Sequence, residues 1–389
     1  MKKDGPQLPQ VFENPALPKT KRLGAAAAKL TLQAAYRGFQ PTEDAPFAKT
    51  PDLPRLKRFY VQTDDGWQLP VYRLPVHPHG SGEPVILAPS MGLNHHSLQF
   101  SRQSSIAWKL QEAGFAVFFF TQRGDHGAIP PSSPHSWDFD DITRQDVPAT
   151  IEGVLERTEF QRIHWVGHGL GGQLLVGYLA NEGDAFLASA SLLCAPVRFQ
   201  SPASRARALQ FAMRLLPSQL ELPTRGLSRL TSPAFGEDSP WMEHLGNLKG
   251  DSSVARGLLL HGTENLGAGL LKQVSLWTER GFLSDRSGQQ DLASCLEGLS
   301  LPVFLLASEG DRSCPPEAAF ALDLFLDGPV DRLRPDASWG HTDPLLAEDA
   351  AHQVFPRILS WVQKHRRKSW AKITEVEEQP AVEKQTASR

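Results

Sequence analysis

Two side chains and one vacated position carry the chemistry that this sequence can support. The stretch Gly167-His168-Gly169-Leu170-Gly171 follows a buried-strand pattern, Arg162 to Val166, and opens a helical one. It fills the five places of G-x-S-x-G, the strained strand-to-helix turn that raises a nucleophilic serine above a sheet. Gly169 stands where the serine belongs. Downstream, the apolar run Leu301 to Ala307 passes straight into Ser308-Glu309-Gly310-Asp311, and a later loop carries Trp339-Gly340-His341. Nucleophile position, acid and histidine therefore arrive in the chain order that such a triad takes. In that chemistry the carboxylate of Asp311 orients the ring of His341, the ring takes a proton from an attacking hydroxyl, and backbone amides receive the oxyanion. The amide after the nucleophile position belongs to Leu170. The second is assigned to Met91, in the loop Pro89-Ser90-Met91 that follows the buried run Val85 to Ala88.

The turn demands small residues at Gly167 and Gly171, where strand and helix pass closely, and glycine at 169 enters an unusual backbone region at little cost. The fold is thus expected to survive loss of the serine. Gly169→Ser is expected to return an attacking oxygen to otherwise intact machinery. His168 is expected to pack behind the turn. A competing reading takes Gly167 to Gly172 as G-x-G-x-x-G, a dinucleotide-binding loop, which needs a carboxylate about 20 residues on. The next strand-like run ends in Cys194-Ala195-Pro196-Val197-Arg198 and offers none, although Arg198 keeps the alternative open through a 2′-phosphate.

Positioning these loops takes alternating strands and helices. Arg58 to Thr63 and Trp67 to Arg73 read as a hairpin around Asp64-Asp65-Gly66. Strand patterns at Val85 to Ala88, Ala116 to Phe120, Arg162 to Val166, Ala188 to Leu193, Val303 to Ala307 and Val330 to Leu333 alternate with helical patterns at 97–113, 141–158 and 170–181. This order predicts the α/β class, a mostly parallel, doubly wound sheet with its active loops at the C-terminal strand ends. Asp146 and Pro148 read as the cap and first turn of the middle helix.

With the elbow, the Asp311 loop and the His341 loop in register, the chain from about 56 to 365 resembles the α/β-hydrolase superfamily. Trp137-Asp138-Phe139-Asp140-Asp141, followed by Asp146-Val147-Pro148, is similar to the stretch before the elbow in acid-lipase-like members. The resemblance implies an α/β-hydrolase core at 51–196 and 296–365, a helical cap at 197–295, an N-terminal extension at 1–50 with a helix over Leu23 to Phe39, and a polar tail at 366–389. It implies esterase/lipase-like ancestry, no cofactor, and an apolar pocket for a small or acyl-ester ligand, walled by cap and core and including Gly169. Residues such as Phe211, Met213, Leu215, Trp241, Leu270 and Trp277 are available to that wall or to cap–core packing. Because Gly169 replaces the nucleophile, the expectation is a pseudoenzyme without ordinary serine-hydrolase activity. Hydrolase or lyase-type chemistry run by the Asp311–His341 dyad is the catalytic alternative.

Composition narrows the partners. A net charge of −3 over 389 residues, with no sustained basic run, argues against a nucleic-acid groove or a polybasic membrane anchor. No run approaches the ~18 apolar residues of a transmembrane helix and no signal-peptide pattern is present, so a cytoplasmic protein is expected. Cys194, Cys295 and Cys314 make neither an even disulfide framework nor a metal spacing, and read as small buried groups. His95, His96, Asp125 and His126 read as surface loop residues rather than metal ligands.

Overall fold

Lys57–Gln62 (β1) and Gln68–Arg73 (β2) pair as the expected antiparallel hairpin. Beyond it, continuous apolar runs make strands covered on both faces: Pro84–Ala88 (β3), Ala116–Phe119 (β4), Ile163–His168 (β5) and Leu187–Leu193 (β6). An insertion carries the two-residue strands Glu221–Leu222 (β7) and Leu266–Gly267 (β8), which pair with each other. Val303–Leu306 (β9) and Val330–Leu333 (β10) then complete the sheet, in the order β1-β2-β4-β3-β5-β6-β9-β10. From β4 to β10 every pairing is parallel, so the sheet is the mostly parallel, helix-flanked one that the alternation predicted, consistent with the α/β-hydrolase fold that the resemblance implies. The computed structural model describes residues 56–200, 214–231 and 252–366, apart from 79, 81, 102–104 and 134. The helix expected at Leu23 to Phe39, the polar tail past 366, and Phe211, Met213 and Trp241 lie outside the described residues.

The helices that cover the sheet are Ile106–Glu112 (α1), Val147–Leu155 (α2), Leu170–Glu182 (α3) and Phe355–Lys364 (α7), while Thr224–Thr231 (α4), Ser252–His261 (α5) and Ala268–Arg280 (α6) belong to the insertion. Every residue of α3 from Leu170 to Leu179 is buried, which explains a sequence apolar on all sides rather than along one stripe. No helix among the described residues is long and apolar enough to cross a membrane.

Three boundaries differ from the sequence pattern. The helix expected from residue 97 starts only at Ile106, because Asn94 instead caps a short turn over His95–Ser97. The helix expected from 141 starts at Phe139, where Asp138 and Asp141 form a reciprocal capping box. Asp146 is therefore not a cap. It is fully buried, its Oδ1 accepting from Arg123 Nε (2.8 Å) and Nη2 (2.7 Å) and its Oδ2 from the Arg123 amide (2.8 Å). Pro148 is the second residue of α2, directly after a π-helical turn over Ile142–Asp146 that continues the helix from Phe139.

The insertion docks on loops at the C-terminal edge of the sheet. The Asn94 amide donates to Gly262 O (2.9 Å) and the Glu264 amide to Gly92 O (2.8 Å). Farther along, Gln273 Nε2 donates to Asp140 Oδ1 (2.6 Å). Leu270 and Trp277 are buried in the main core, so they pack insertion against sheet, whereas Leu215 is 71% exposed.

Candidate active site

Parallel pairing places the decisive loops side by side. β3 and β5 are neighbours with Ala88 opposite Gly167, so Ser90 and Gly169 each lie two residues past a matched pair. The glycines of the turn have steric reasons. A Cβ at Gly167 would meet the backbone of Gly171 at 2.5 Å, and one at Gly171 would meet Ala88 O at 2.3 Å. Gly169 itself has φ +50°, the strained region this turn requires of its central residue. Its amide donates to Leu193 O (2.8 Å), and its carbonyl accepts from the Gly172 amide (3.0 Å) at the start of α3.

Asp311 and His341 reach this turn from the far side of the sheet. Leu306 of β9 pairs with Leu333 of β10, and the loops that leave the two strands touch. Ser308 Oγ donates to Trp339 O (2.9 Å), and a Cβ at Gly310 would meet the same carbonyl at 2.5 Å, so glycine is needed there. His341 Nδ1 lies 2.7 Å from Asp311 Oδ2. Burial opposes ionisation of Asp311, yet hydrogen bonds from His341 and the amides of Ser313 and Cys314 outweigh it and hold the carboxyl below its ordinary pKa. An ionised Asp311 accepts from Nδ1–H, which leaves Nε2 of a neutral His341 as the bare acceptor.

That Nε2 faces the elbow, 2.9 Å from where a Cβ on residue 169 would lie. It is not without a partner: Ser90 Oγ sits 3.1 Å away. The same oxygen is 2.1 Å from the Cβ position of residue 169, so the Ser90 hydroxyl occupies the space that an elbow side chain would take. Sequence reading passed over Ser90. The signal was present, since a serine stood in the oxyanion loop while glycine stood at the elbow.

His168 lies behind the turn as expected, its Nε2 donating to His341 O (2.9 Å) and its ring 4.5 Å from that of His341. Burial, reinforced by His341, pushes its pKa down to about 3. The neutral form is therefore the folded one, and the stability it carries is present above the unfolded pKa near 6.5 and lost as pH falls toward 3. At pH 5.5 this group alone removes ~1.4 kcal/mol of stability. The ring protons of His168 should show no titration between pH 8 and 4.5 by NMR; a midpoint near 6.5 would contradict the burial.

His168, Cys194 and His341 bring ligand-type atoms within 4.8 Å of one another, a grouping the sequence did not signal. Both ring nitrogens of His341 are engaged, by Asp311 and Ser90. Burial, with help from Asp311, raises the Cys194 and Cys314 thiols well above their ordinary range and holds them as poor nucleophiles.

His126 is an exposed turn residue as expected, whereas His95 and His96 are half-buried and Asp125 is buried. All four, with Tyr72, Arg225, Arg229, His261 and Glu264, line a cavity between the sheet-edge loops and the insertion. Its wall is polar, and none of Gly169, Asp311 and His341 lines it, so it is a different place from the apolar pocket expected at the elbow. Here α4 and α5 bring Arg225, Arg229 and His261 to the same cavity as His95 and His96. Burial brings His95 down to about 3 and, with the charges of His261 and Arg225, His96 down to about 4.

A family profile described as "Serine aminopeptidase, S33" matches residues 85–242. Human "Lipase member K" is 33% identical over 131 residues, which cover 30% of this chain and 32% of the relative. Rat "Gastric triacylglycerol lipase" is 30% identical over 146 residues, 34% of this chain and 36% of the relative. The matched stretches thus span about a third of the length of these relatives. Among solved structures, a putative lipase from Acinetobacter baumannii superposes with a TM-score of 0.55 at 14% identity, over 87% of this chain and 97% of that one. An esterase from Exiguobacterium antarcticum gives 0.54 at 16%, over 79% and 100%. The chain thus has the α/β-hydrolase fold and is similar, over part of its length, to esterases and lipases.

Proposed function

We propose that this α/β-hydrolase cleaves carboxylic esters with a small or apolar acyl group, using His341 as general base and Asp311 to orient it. The observation that carries the reading is the 2.7 Å bond from His341 Nδ1 to Asp311, with Nε2 turned toward the elbow. An imidazole so held is ready to take a proton from an attacking hydroxyl and return it to the leaving alcohol. The ordinary serine route is closed at residue 169 because Gly169 has no hydroxyl. The elbow still opens α3 at Leu170, and the first amides of a helix have no partner within it, so Leu170 and Met91 are proposed as oxyanion donors. The residues 197–295 are proposed as a cap. The acyl preference rests on the lipase relatives, whose substrates are apolar esters by name.

The geometry of Gly167 to Gly172 favours this reading over the dinucleotide alternative. Gly167 and Gly171 are needed for strand–helix contact, and Ser90 and His341 crowd the Cβ position of residue 169. Buried, unpaired Cys194 and Cys314 fit a reducing compartment, and a cytoplasmic location is part of the reading, open to test by fractionation.

Hydrolysis of p-nitrophenyl esters from acetate to laurate tests it. His341→Ala and Asp311→Asn should each cut kcat/KM by ~10² to 10⁴, the usual range for a positioned acid–base group. Full turnover in His341→Ala would overturn the assignment. A folded, inert parent chain would favour a binding protein.

A further inference from the structure

We propose that Ser90, delivered by the loop after β3, is the nucleophile of this chain. The inference rests on the reading of His341 and Asp311 as the base and its orienting acid. The elbow has given up its hydroxyl, and the neighbouring strand supplies another at the same place.

Four observations converge on this residue. Ser90 Oγ lies 3.1 Å from His341 Nε2, the ring atom opposite the Asp311 bond. With Nδ1–H given to Asp311, Nε2 accepts, so the Ser90 hydroxyl is the donor and its proton points at the base. No other side chain or backbone group among the described residues is bonded to that hydroxyl. Its oxygen falls 2.1 Å from the Cβ position of residue 169, within the volume an elbow serine would occupy and beside the N-terminus of α3. Finally, β3 and β5 are paired in register through Ala88 and Gly167, which fixes the two loops relative to each other by main-chain bonds rather than by flexible side chains.

The reaction balances with water as its only co-substrate. Ser90 Oγ bonds to the ester carbonyl carbon as its proton passes to His341 Nε2. The carbon–oxygen bond to the alcohol breaks, and His341 gives that proton to the departing alkoxide. Water then attacks the acyl-serine, losing a proton to His341. The bond to Ser90 Oγ breaks, the acid leaves, and His341 returns the proton to Ser90. Asp311 stays ionised throughout. A serine that merely filled the vacated space would need none of this reactivity.

An alkyl fluorophosphonate reads the difference. Attack forms a phosphorus–oxygen bond at Ser90 and expels fluoride, leaving an adduct that tandem mass spectrometry assigns to one residue. In the full-length protein the adduct should map to Ser90, and labelling should fall at least ~100-fold in rate in His341→Ala, the lower range for loss of a general base. Ser90→Ala should be unlabelled and inert to the same esters, while Ser90→Cys should acquire iodoacetamide reactivity at position 90 that depends on His341. An adduct elsewhere, no adduct at saturating probe, or undiminished hydrolysis by Ser90→Ala would each overturn the proposal. Site mapping on the unmutated chain decides the matter even if Ser90→Ala does not fold. Ester turnover that requires His341 but leaves Ser90 unlabelled would keep the proposed function and discard this nucleophile. An adduct at Ser90 without turnover of any ester would do the reverse.

Discussion

Gly169→Ser should weaken this protein and silence it rather than awaken it. Chain order alone suggests the opposite, since it adds the missing hydroxyl to a turn flanked by an oriented imidazole. The space is taken, however. A Cβ at 169 would stand 2.1 Å from Ser90 Oγ, 2.9 Å from Ser90 Cβ and 2.9 Å from His341 Nε2. Rotating the hydroxyl relieves the first contact only, because a Cβ moves with its backbone, and that backbone is pinned where β3 pairs with β5. Overpacking of this kind costs ~1–3 kcal/mol, and a side chain at φ +50° adds strain of ~1–3 kcal/mol. Since the clash begins at Cβ, Gly169→Ala should be as unstable as Gly169→Ser. The pair Ser90→Gly with Gly169→Ser removes the clash and moves one hydroxyl from one strand tip to the next. It should recover stability relative to Gly169→Ser by a coupling of ~0.5–3 kcal/mol, and fluorophosphonate should then label position 169. Chemical denaturation of the four members of this cycle measures the coupling. A Gly169→Ser protein as stable as its parent and newly reactive at 169 would show that Ser90 is not in the way.

The reversal shows how far the sequence could be read and where it stopped. The strands and the loops carrying Gly169, Asp311 and His341 were legible because each rests on a local rule: apolar runs for buried strands, a glycine pattern for the strand-to-helix turn, a carboxylate and a histidine just past strand tips. Asp311 and His341 indeed meet at 2.7 Å. Ser90 was not legible by the same means. Its importance arises from two loops 79 positions apart in sequence, which become neighbours only when β5 inserts next to β3 in the sheet. Local reading treated the oxyanion loop as a source of amides, where side chains are indifferent, and so gave its serine no role. The polar cavity escaped for a related reason. His95 and His96 look exposed until Arg225, Arg229 and His261 of the insertion, more than 120 residues later, are laid over them.

Asp146 was misread in an instructive way, and its replacement should have the largest effect on stability of any single polar substitution considered for this chain. A carboxylate ahead of a proline and an apolar helix suggests a solvated cap, worth ~1 kcal/mol. In the fold it is fully buried against Arg123, whose side chain is only 2% exposed and whose outer face reaches Asp65. Burial pushes the Asp146 pKa up to about 6 even against the pull of Arg123, so the pair is ionised at neutral pH at a real desolvation cost. Such a pair adds little net stability, but losing one partner strands a buried charge. Asp146→Ala leaves Arg123 with the half-exposed Asp65 alone, and takes the acceptor from the Arg123 amide as well. The expected loss is ~3–5 kcal/mol. Because the Arg123 loop leads directly to Asp125 and His126, whose amide bonds Glu264 (2.9 Å), the same substitution should loosen the insertion. Adding Arg123→Met to Asp146→Ala should recover most of the deficit, since no charge is then left unpaired. It should not recover all, because the orphaned amide still costs ~1–3 kcal/mol. Equilibrium denaturation of the single and double variants at pH 7.5 separates the cases. An Asp146→Ala protein within 1 kcal/mol of its parent would mean that Asp65 and water suffice for Arg123, and that the loop is held by its backbone alone.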